Sequence, residues 1–210
     1  AWAAAQSYDK RPEVVVAMPS YFKGIGALAA KTPLDAWKAW LTAKVIKGNA
    51  TLLSKAFVDT NFDFFAKTLN GQQAQRPRWK RGVSLVNGSV GEAVGKLYVD
   101  KYFPPESKPR MQKLVGNLLE AYKQSITTLD WMTADTKKEA LAKLAKFTVK
   151  IGYPDKFRSY EGLAIKADDL VGNAERAVAF EQNFQVSKLG KPVDRGLWLM
   201  VPQEINAYYN

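Results

Sequence analysis

Hydrophobic residues recur every three or four positions along most of the chain, which is the period of an amphipathic helix. The clearest run ends at Pro104-Pro105, a pair that cannot continue a helix. Its apolar positions are Trp79, Val83, Val86, Val90, Val94 and Leu97. Similar patterns over residues 50–69 and 111–129 predict two further helices.

Residues that favour helix ends stand at the borders of these patterns. Thr32-Pro33 is typical of an N-cap followed by proline in the first turn. Asn70-Gly71 is typical of a helix end, and Thr133 predicts the N-cap of another helix. These signals strengthen the prediction of a mainly helical chain.

The hydrophobic period changes near residue 147. Apolar side chains then alternate along the chain, as in a half-buried strand. They are Phe147, Val149, Ile151 and Tyr153. The last residues, 204–210, alternate as well, and a terminal strand needs a neighbouring backbone. We therefore predict a mainly α fold, with a helical bundle over residues 1–146 and a small α+β tail over 147–210 that ends in an edge strand.

Two residue types are absent, and their absence narrows the chemistry. The 210 residues include no Cys and no His. This composition excludes disulfides, thiolate nucleophiles and a Ser-His-Asp triad, and it removes the usual zinc ligands. No apolar run reaches the ~20 residues that span a bilayer. With 47% hydrophobic residues, the chain is nevertheless able to build a core.

The chain is basic, with 31 Lys and Arg against 20 Asp and Glu and a net charge of +11. Such a charge favours anionic partners, so a basic helical nucleic-acid-binding or scaffold module is an alternative function. The cluster RPRWKR, Arg76–Arg81, fits that alternative. At helical spacing, however, Trp79 is predicted to face the core while the cations face solvent.

Three motifs have simpler structural explanations than a site. Gly24–Ala29 (GIGALA) matches a dinucleotide-binding pattern, but no strand directly precedes it. Gly91–Lys96 (GEAVGK) resembles a phosphate loop inside a strongly periodic helix. Asp168 and Asp169 form a carboxylate pair that a helix N-terminus explains, with the helix running to about Lys188. From its residues alone, the chain is a helical module that is not catalytic by itself.

Longer stretches of the sequence nevertheless resemble a known family. They are RPRWKRGVSLVNGSVGEAVGKLYVDKYFPPESKPRM, LDWMTADTKKEALAKLAKFTVKIGYPD and LGKPVDRGLWLMVPQEINAYYN, in this order. Over about residues 12–210 the chain resembles the neprilysin family of zinc metallopeptidases, which includes endothelin-converting enzyme and bacterial oligopeptidases.

The resemblance implies a division of labour. In the family, a zinc-binding helix H-E-x-x-H and a further E-x-x-x-D follow shortly after the NAYY stretch, and this chain contains neither. The complete protein is thus expected to be a zinc metalloendopeptidase that cleaves short peptides. This chain would supply the size-restricting helical lobe, hold no metal or catalytic residue, and be inactive alone. The expected partners are peptide substrates and the C-terminal catalytic segment, without nucleic acid or a membrane span.

The resemblance also implies a substrate-binding strand. Asn206 would donate to and accept from the backbone of a peptide, and the Ala207 carbonyl would accept an N–H. Tyr208 would line the pocket for the residue before the scissile bond, whereas Tyr209 is expected to cover the core. The absence of Cys points to a bacterial member, in the periplasm or cell envelope or alternatively in the cytoplasm.

Overall fold

The computed structural model describes residues 13–209 and the isolated positions 4 and 9, and the regular structure of residues 13–209 is helical. Its α-helices are α1 (Pro19–Lys31), α2 (Leu34–Asn49), α3 (Lys55–Asn61), α4 (Arg78–Tyr102), α5 (Ser107–Thr128), α6 (Ala134–Leu144) and α7 (Leu170–Ser187). A short 3-10 turn (Ala50–Leu52) precedes α3, and a π-helical segment (Phe62–Thr68) follows it. The mainly α prediction is confirmed.

The predicted strands do not form within residues 13–209. Residues 147–153 and 204–209 have no ladder of backbone hydrogen bonds. Alternation of apolar side chains identifies two faces, but a strand also requires a second backbone at pairing distance. The described part of the chain provides no such neighbour, so the strand-containing tail of the prediction is not observed.

Most predicted helix ends are found close to their expected positions. Thr133 is the N-cap of α6, and its side chain accepts from the Thr136 N–H. Gly71 ends the π-helical segment with a φ of 70° and donates to the Lys67 carbonyl. The start of α2 differs by one residue, because Pro33 occupies the N-cap position and makes no side-chain cap bond.

The chain divides into two compact units. The first contains the described part of Ala1–Pro77 together with Ala164–Leu189, and the second contains Arg78–Leu163 and the described part of Gly190–Asn210. The first unit thus combines α1 to α3 with α7, and the second combines α4 to α6 with the C-terminal residues. The predicted boundary between residues 146 and 147 stays a prediction.

The predicted apolar face of α4 is largely uncovered within the described residues. Trp79 is 67% exposed and Leu97 is 70% exposed, so the expectation that Trp79 faces the core is wrong for this part of the chain. The buried positions of α4 are instead two glycines, Gly91 and Gly95. A face of small residues, rather than the Val and Leu face, therefore makes the closest packing contact of this helix.

None of the described helices is both long and apolar enough to cross a membrane.

Candidate functional site

The C-terminal residues pack on α4 through three consecutive side chains, which we call the anchor: Val201, Pro202 and Gln203. A Cβ built on Gly91 would lie 2.8 Å from Val201 Cγ1, and one built on Gly95 would lie 2.6 Å from Pro202 Cδ. Real Cβ atoms do not approach other carbon atoms so closely. The anchor therefore occupies space that only glycine leaves open on this helix.

Hydrogen bonds from Gln203 fix the anchor along the helix. Its Nε2 donates to Asn87 Oδ1 at 3.0 Å and to the Gly91 carbonyl at 3.1 Å. The helix is kinked between these two positions, because Val90 has the non-helical angles φ −135° and ψ 34°. The side-chain amide of Gln203 thus bonds the helix on both sides of its kink.

The backbone next to the anchor is held by two more contacts. The Glu204 N–H donates to the Val201 carbonyl at 3.0 Å and closes a turn around Pro202 and Gln203. Upstream, Lys150 Nζ donates to the Leu197 carbonyl. These two bonds hold the backbone before and after the anchor.

Beyond the turn, the chain is open to solvent. Ile205 is fully exposed, and Asn206 and Ala207 are exposed too. Asn206 Oδ1 accepts from the Ala207 N–H at 2.8 Å. Among the described residues, the Asn206 N–H, its Nδ2 group and the Ala207 carbonyl have no hydrogen-bond partner. Three polar groups in succession are thus available to a ligand.

The next two residues, Tyr208 and Tyr209, contact other parts of the chain. The Tyr208 hydroxyl accepts from the Leu199 N–H at 3.4 Å, and the ring is 40% exposed. Tyr209 stacks on Phe147 with ring centroids 5.7 Å apart, and Lys143 Nζ lies 6.0 Å from its centroid. Tyr209 remains 69% exposed, and the expectation that it covers the core stays a prediction.

Glu92, which lies on α4, forms hydrogen bonds with a loop of the chain. Glu92 Oε2 accepts from the Arg158 N–H at 2.9 Å, and the Glu92 N–H donates to the Tyr160 hydroxyl at 3.3 Å. Glu92 immediately follows Gly91, so the helix that receives the anchor is also bonded to the loop before Leu163.

The motifs that were explained structurally do lie in helices. Gly24–Ala29 is within α1 and Gly91–Lys96 is within α4, so neither forms a phosphate-binding loop. Asp169 is the N-cap of α7. The Arg176 side chain and the Gly172 N–H both bond its carboxylate and hold its pKa below the ordinary value of 3.8. This carboxylate is therefore part of a helix cap.

The described residues can be compared with the ligand set that zinc requires. The sequence has no His or Cys, and no group of three or more metal-ligating side chains occurs in the part of the chain that the structure describes. Isolated carboxylates do not supply the three or four ligands that zinc requires.

Sequence reasoning named Asn206, Ala207 and Tyr208 but missed the residues that hold them. The signal was available as two glycines four residues apart, Gly91 and Gly95, which bring a smooth patch to one face of a helix. It was missed because the larger apolar residues dominate the hydrophobic pattern of α4. Gln203 gave no signal, because a single glutamine is typical of any surface loop.

The sequence profile of Peptidase family M13 matches residues 2–154. This chain belongs to peptidase family M13, and the neprilysin resemblance is thereby confirmed.

Named relatives cover nearly all of the chain. The sequence is 33% identical to the neutral endopeptidase of Lactobacillus helveticus in an alignment 204 positions long, which covers 96% of this chain and 31% of that protein. It is 30% identical to human neprilysin in an alignment 212 positions long, which covers 97% of this chain and 28% of that protein. The chain thus spans about a third or less of these relatives' length.

Solved structures of a mycobacterial enzyme have a similar fold. The zinc metalloprotease Zmp1 of Mycobacterium tuberculosis in its open state is 48% identical, with a TM-score of 0.88 over 100% of this chain and 33% of that one. The same protease in complex with an inhibitor gives 49% identity and a TM-score of 0.82 over 94% of this chain and 30% of that one.

Proposed function

We propose that this chain is the substrate-facing, non-catalytic part of an M13 peptidase that cleaves short peptides. Asn206, Ala207 and Tyr208, which we call the peptide-binding segment, bind the backbone of an extended substrate. The helices form part of the lobe that restricts the size of the substrate. Family membership and the names of the relatives support the class of activity.

One observation carries the assignment of the segment. The Asn206 N–H, the Asn206 side-chain Nδ2 group and the Ala207 carbonyl belong to two consecutive exposed residues and have no partner among residues 13–209. A peptide that lies alongside satisfies these groups through its own N–H and C=O groups, whatever its side chains. The exposed ring of Tyr208 then contacts one substrate side chain.

The bond-breaking chemistry is assigned to residues outside this chain. Zmp1 is a zinc metalloprotease, and no residue set described in this chain fits zinc. The role left to these residues is to bind and orient the substrate. The location of the complete protein in a bacterial periplasm or cell envelope, or alternatively in the cytoplasm, stays a prediction.

The exposed apolar surface is assigned to contacts with the rest of the protein. Leu97, Trp131 and Val178 are each exposed by 70% or more. The chain accounts for about a third or less of the relatives' length, so a much longer polypeptide is available to cover such residues. The C-terminal catalytic segment is the partner we assign to them.

Substitution of Asn206 tests the proposal. In the complete protein, Asn206→Ala removes two side-chain hydrogen-bonding groups, and we expect kcat/KM for a short quenched fluorescent peptide to fall about tenfold. Asn117→Ala, the same change at an exposed position of α5, is the matched control and leaves kcat/KM unchanged. Wild-type cleavage by the Asn206 variant would contradict the proposal.

A further inference from the structure

We propose that the anchor on α4 is a positioning device, which sets where the peptide-binding segment lies and thereby controls substrate binding. The positioning residues are Gln203, Gly91 and Gly95. The inference rests on the proposed function of the segment, and it assigns a role to residues that touch no substrate. Three observations support it: the close contact with the glycines, the bonds of Gln203, and the short distance along the chain.

The first observation is that the anchor leaves no room for a side chain on the facing surface of α4. Pro202 Cδ and Gln203 Oε1 would lie 2.6 and 2.9 Å from a Cβ at Gly95. Any side chain there pushes the anchor away from the helix, since the opposing atoms belong to a proline ring and to a buried amide. The glycines therefore determine how closely the C-terminal residues approach α4.

The second observation is that hydrogen bonds from Gln203 fix the position of the anchor along α4. Packing against a smooth glycine face allows the anchor to slide along the helix. The two bonds from Nε2, to Asn87 Oδ1 and the Gly91 carbonyl, select one position out of those that packing allows. The kink at Val90 lies between the two acceptors, so the anchor is matched to a local irregularity of the helix.

The third observation is that the segment begins directly after the anchor. Two residues, Glu204 and Ile205, separate Gln203 from Asn206, and the first of them is already held by a turn to the Val201 carbonyl. Each residue spans only ~3.5 Å of chain, so the two intervening residues cannot absorb a large displacement of the anchor. A displacement of the anchor therefore also moves Asn206. A displacement of about 1 Å at a substrate-binding group lowers activity by up to a hundredfold.

A pair of glycine substitutions in the complete protein tests the proposal. We expect Gly95→Ala to lower kcat/KM for a quenched fluorescent peptide by roughly tenfold to a hundredfold. The matched control is Gly88→Ala on the same helix, where nothing lies within 4 Å of the added Cβ and where alanine improves helix propensity. Equal activity of the two variants would overturn the proposal.

A double-mutant cycle between Gln203 and Asn206 separates positioning from general stability. Gln203→Ala removes the bonds to α4 without adding bulk, which keeps the test valid if Gly95→Ala fails to fold. If Gln203 acts by positioning Asn206, its substitution lowers kcat/KM in the wild-type background but adds little loss in the Asn206→Ala background. Losses that multiply in the double variant would show a merely structural role and overturn the inference.

The outcomes distinguish this inference from the proposed function on which it rests. A loss with Asn206→Ala but none with Gln203→Ala leaves the peptide-binding segment in place and rejects the anchor as its positioning device. No loss with Asn206→Ala rejects the proposed function, and the inference with it. Losses in both single variants without further loss in the double variant support both.

Discussion

At the scale of single residues, Asp169 shows how one carboxylate joins a loop to a helix. Its Oδ1 accepts from the Gly172 N–H at 3.0 Å, and its Oδ2 accepts from Arg176 Nη1 at 2.9 Å. Arg176 Nε also donates to the Ala164 carbonyl at 2.9 Å, so the same guanidinium holds the preceding loop. The charge of Asp169 therefore contributes to the fold.

The lowered pKa of Asp169 predicts a pH-dependent contribution to stability. A carboxylate whose pKa is lower in the folded state stabilises the fold above its unfolded value, near 3.8, and this stabilisation is lost as the pH falls through the folded value. We expect Asp169→Asn to lower the urea unfolding midpoint at neutral pH. The difference from wild type should shrink progressively on acidification below about pH 4.

Asp168→Asn is the matched control for this titration, because Asp168 is the exposed neighbour of the capping residue. At neutral pH its unfolding midpoint should be close to that of the wild type. A gap between Asp169→Asn and wild type that stayed constant from neutral to acidic pH would contradict the assigned role of the charge.

At the scale of elements, the N-cap of α6 provides a second test. Thr133 Oγ1 accepts from the Thr136 N–H at 3.3 Å and shares a hydrogen bond with the Thr136 hydroxyl at 2.9 Å. Thr133→Ala leaves a first-turn N–H without this partner and should lower the free energy of unfolding by about 1 kcal/mol. Thr133→Ser keeps the hydroxyl and should be close to wild type in the same urea titration.

A result in which Thr133→Ala and Thr133→Ser were equally destabilised would show that the methyl group, and not the cap, matters at this position. The two helices beside it are also joined directly, since Lys137 Nζ donates to the Thr127 carbonyl at 2.9 Å. The expected loss is therefore confined to the cap and leaves the contact between α5 and α6 intact.

Elements of this chain were predictable from sequence to the extent that their cause is local. Thr133 and Asp169 were identified as helix caps because a cap depends on residues three positions apart. The strands at residues 147–153 and 204–209 were not observed, since a strand depends on a second backbone. The hydrogen bonds from Gln203 to Asn87 and Gly91, on either side of the kink at Val90, join residues more than a hundred positions apart, which no periodicity reveals.

The candidate site was predictable in part. The names Asn206, Ala207 and Tyr208 came from family resemblance, and their exposed backbone agrees with the role proposed for them. The residues that position them include Gly91 and Gly95, which permit a close contact with the anchor because glycine has no side chain. A pattern of hydrophobic residues cannot report such a contact, because glycine adds nothing to the hydrophobic count.

At the scale of the whole molecule, the main feature is the amount of apolar surface in contact with solvent. The buried apolar residues in the described part of the chain are Ala50, Val58 and Ala177, all small or medium in size. Large residues, including Leu97 and Trp131, are exposed instead. The relatives of this chain are about three times longer. Under the proposed function such exposed faces are expected, because the surfaces that would cover them lie in a catalytic segment outside this chain.

Dye binding tests this expectation on the whole molecule. The 210-residue chain on its own should bind anilinonaphthalene sulfonate with a strong rise in fluorescence, because its apolar faces are open to the dye. The complete protein should give little signal per molecule, because those faces are covered. An isolated chain that bound no dye would show that it buries its own apolar residues, and would contradict the proposed contact with the catalytic segment.

The order of anchor and peptide-binding segment along the chain has an evolutionary consequence. Under the two proposals, Val201, Pro202 and Gln203 place the segment, whereas recognition begins three residues later at Asn206. Homologous sequences are therefore expected to vary more in the exposed side chains after the anchor than in the anchor itself, because a change in the anchor would displace the whole segment. Evolutionary change of substrate preference and conservation of backbone position would thus act on adjacent but different residues.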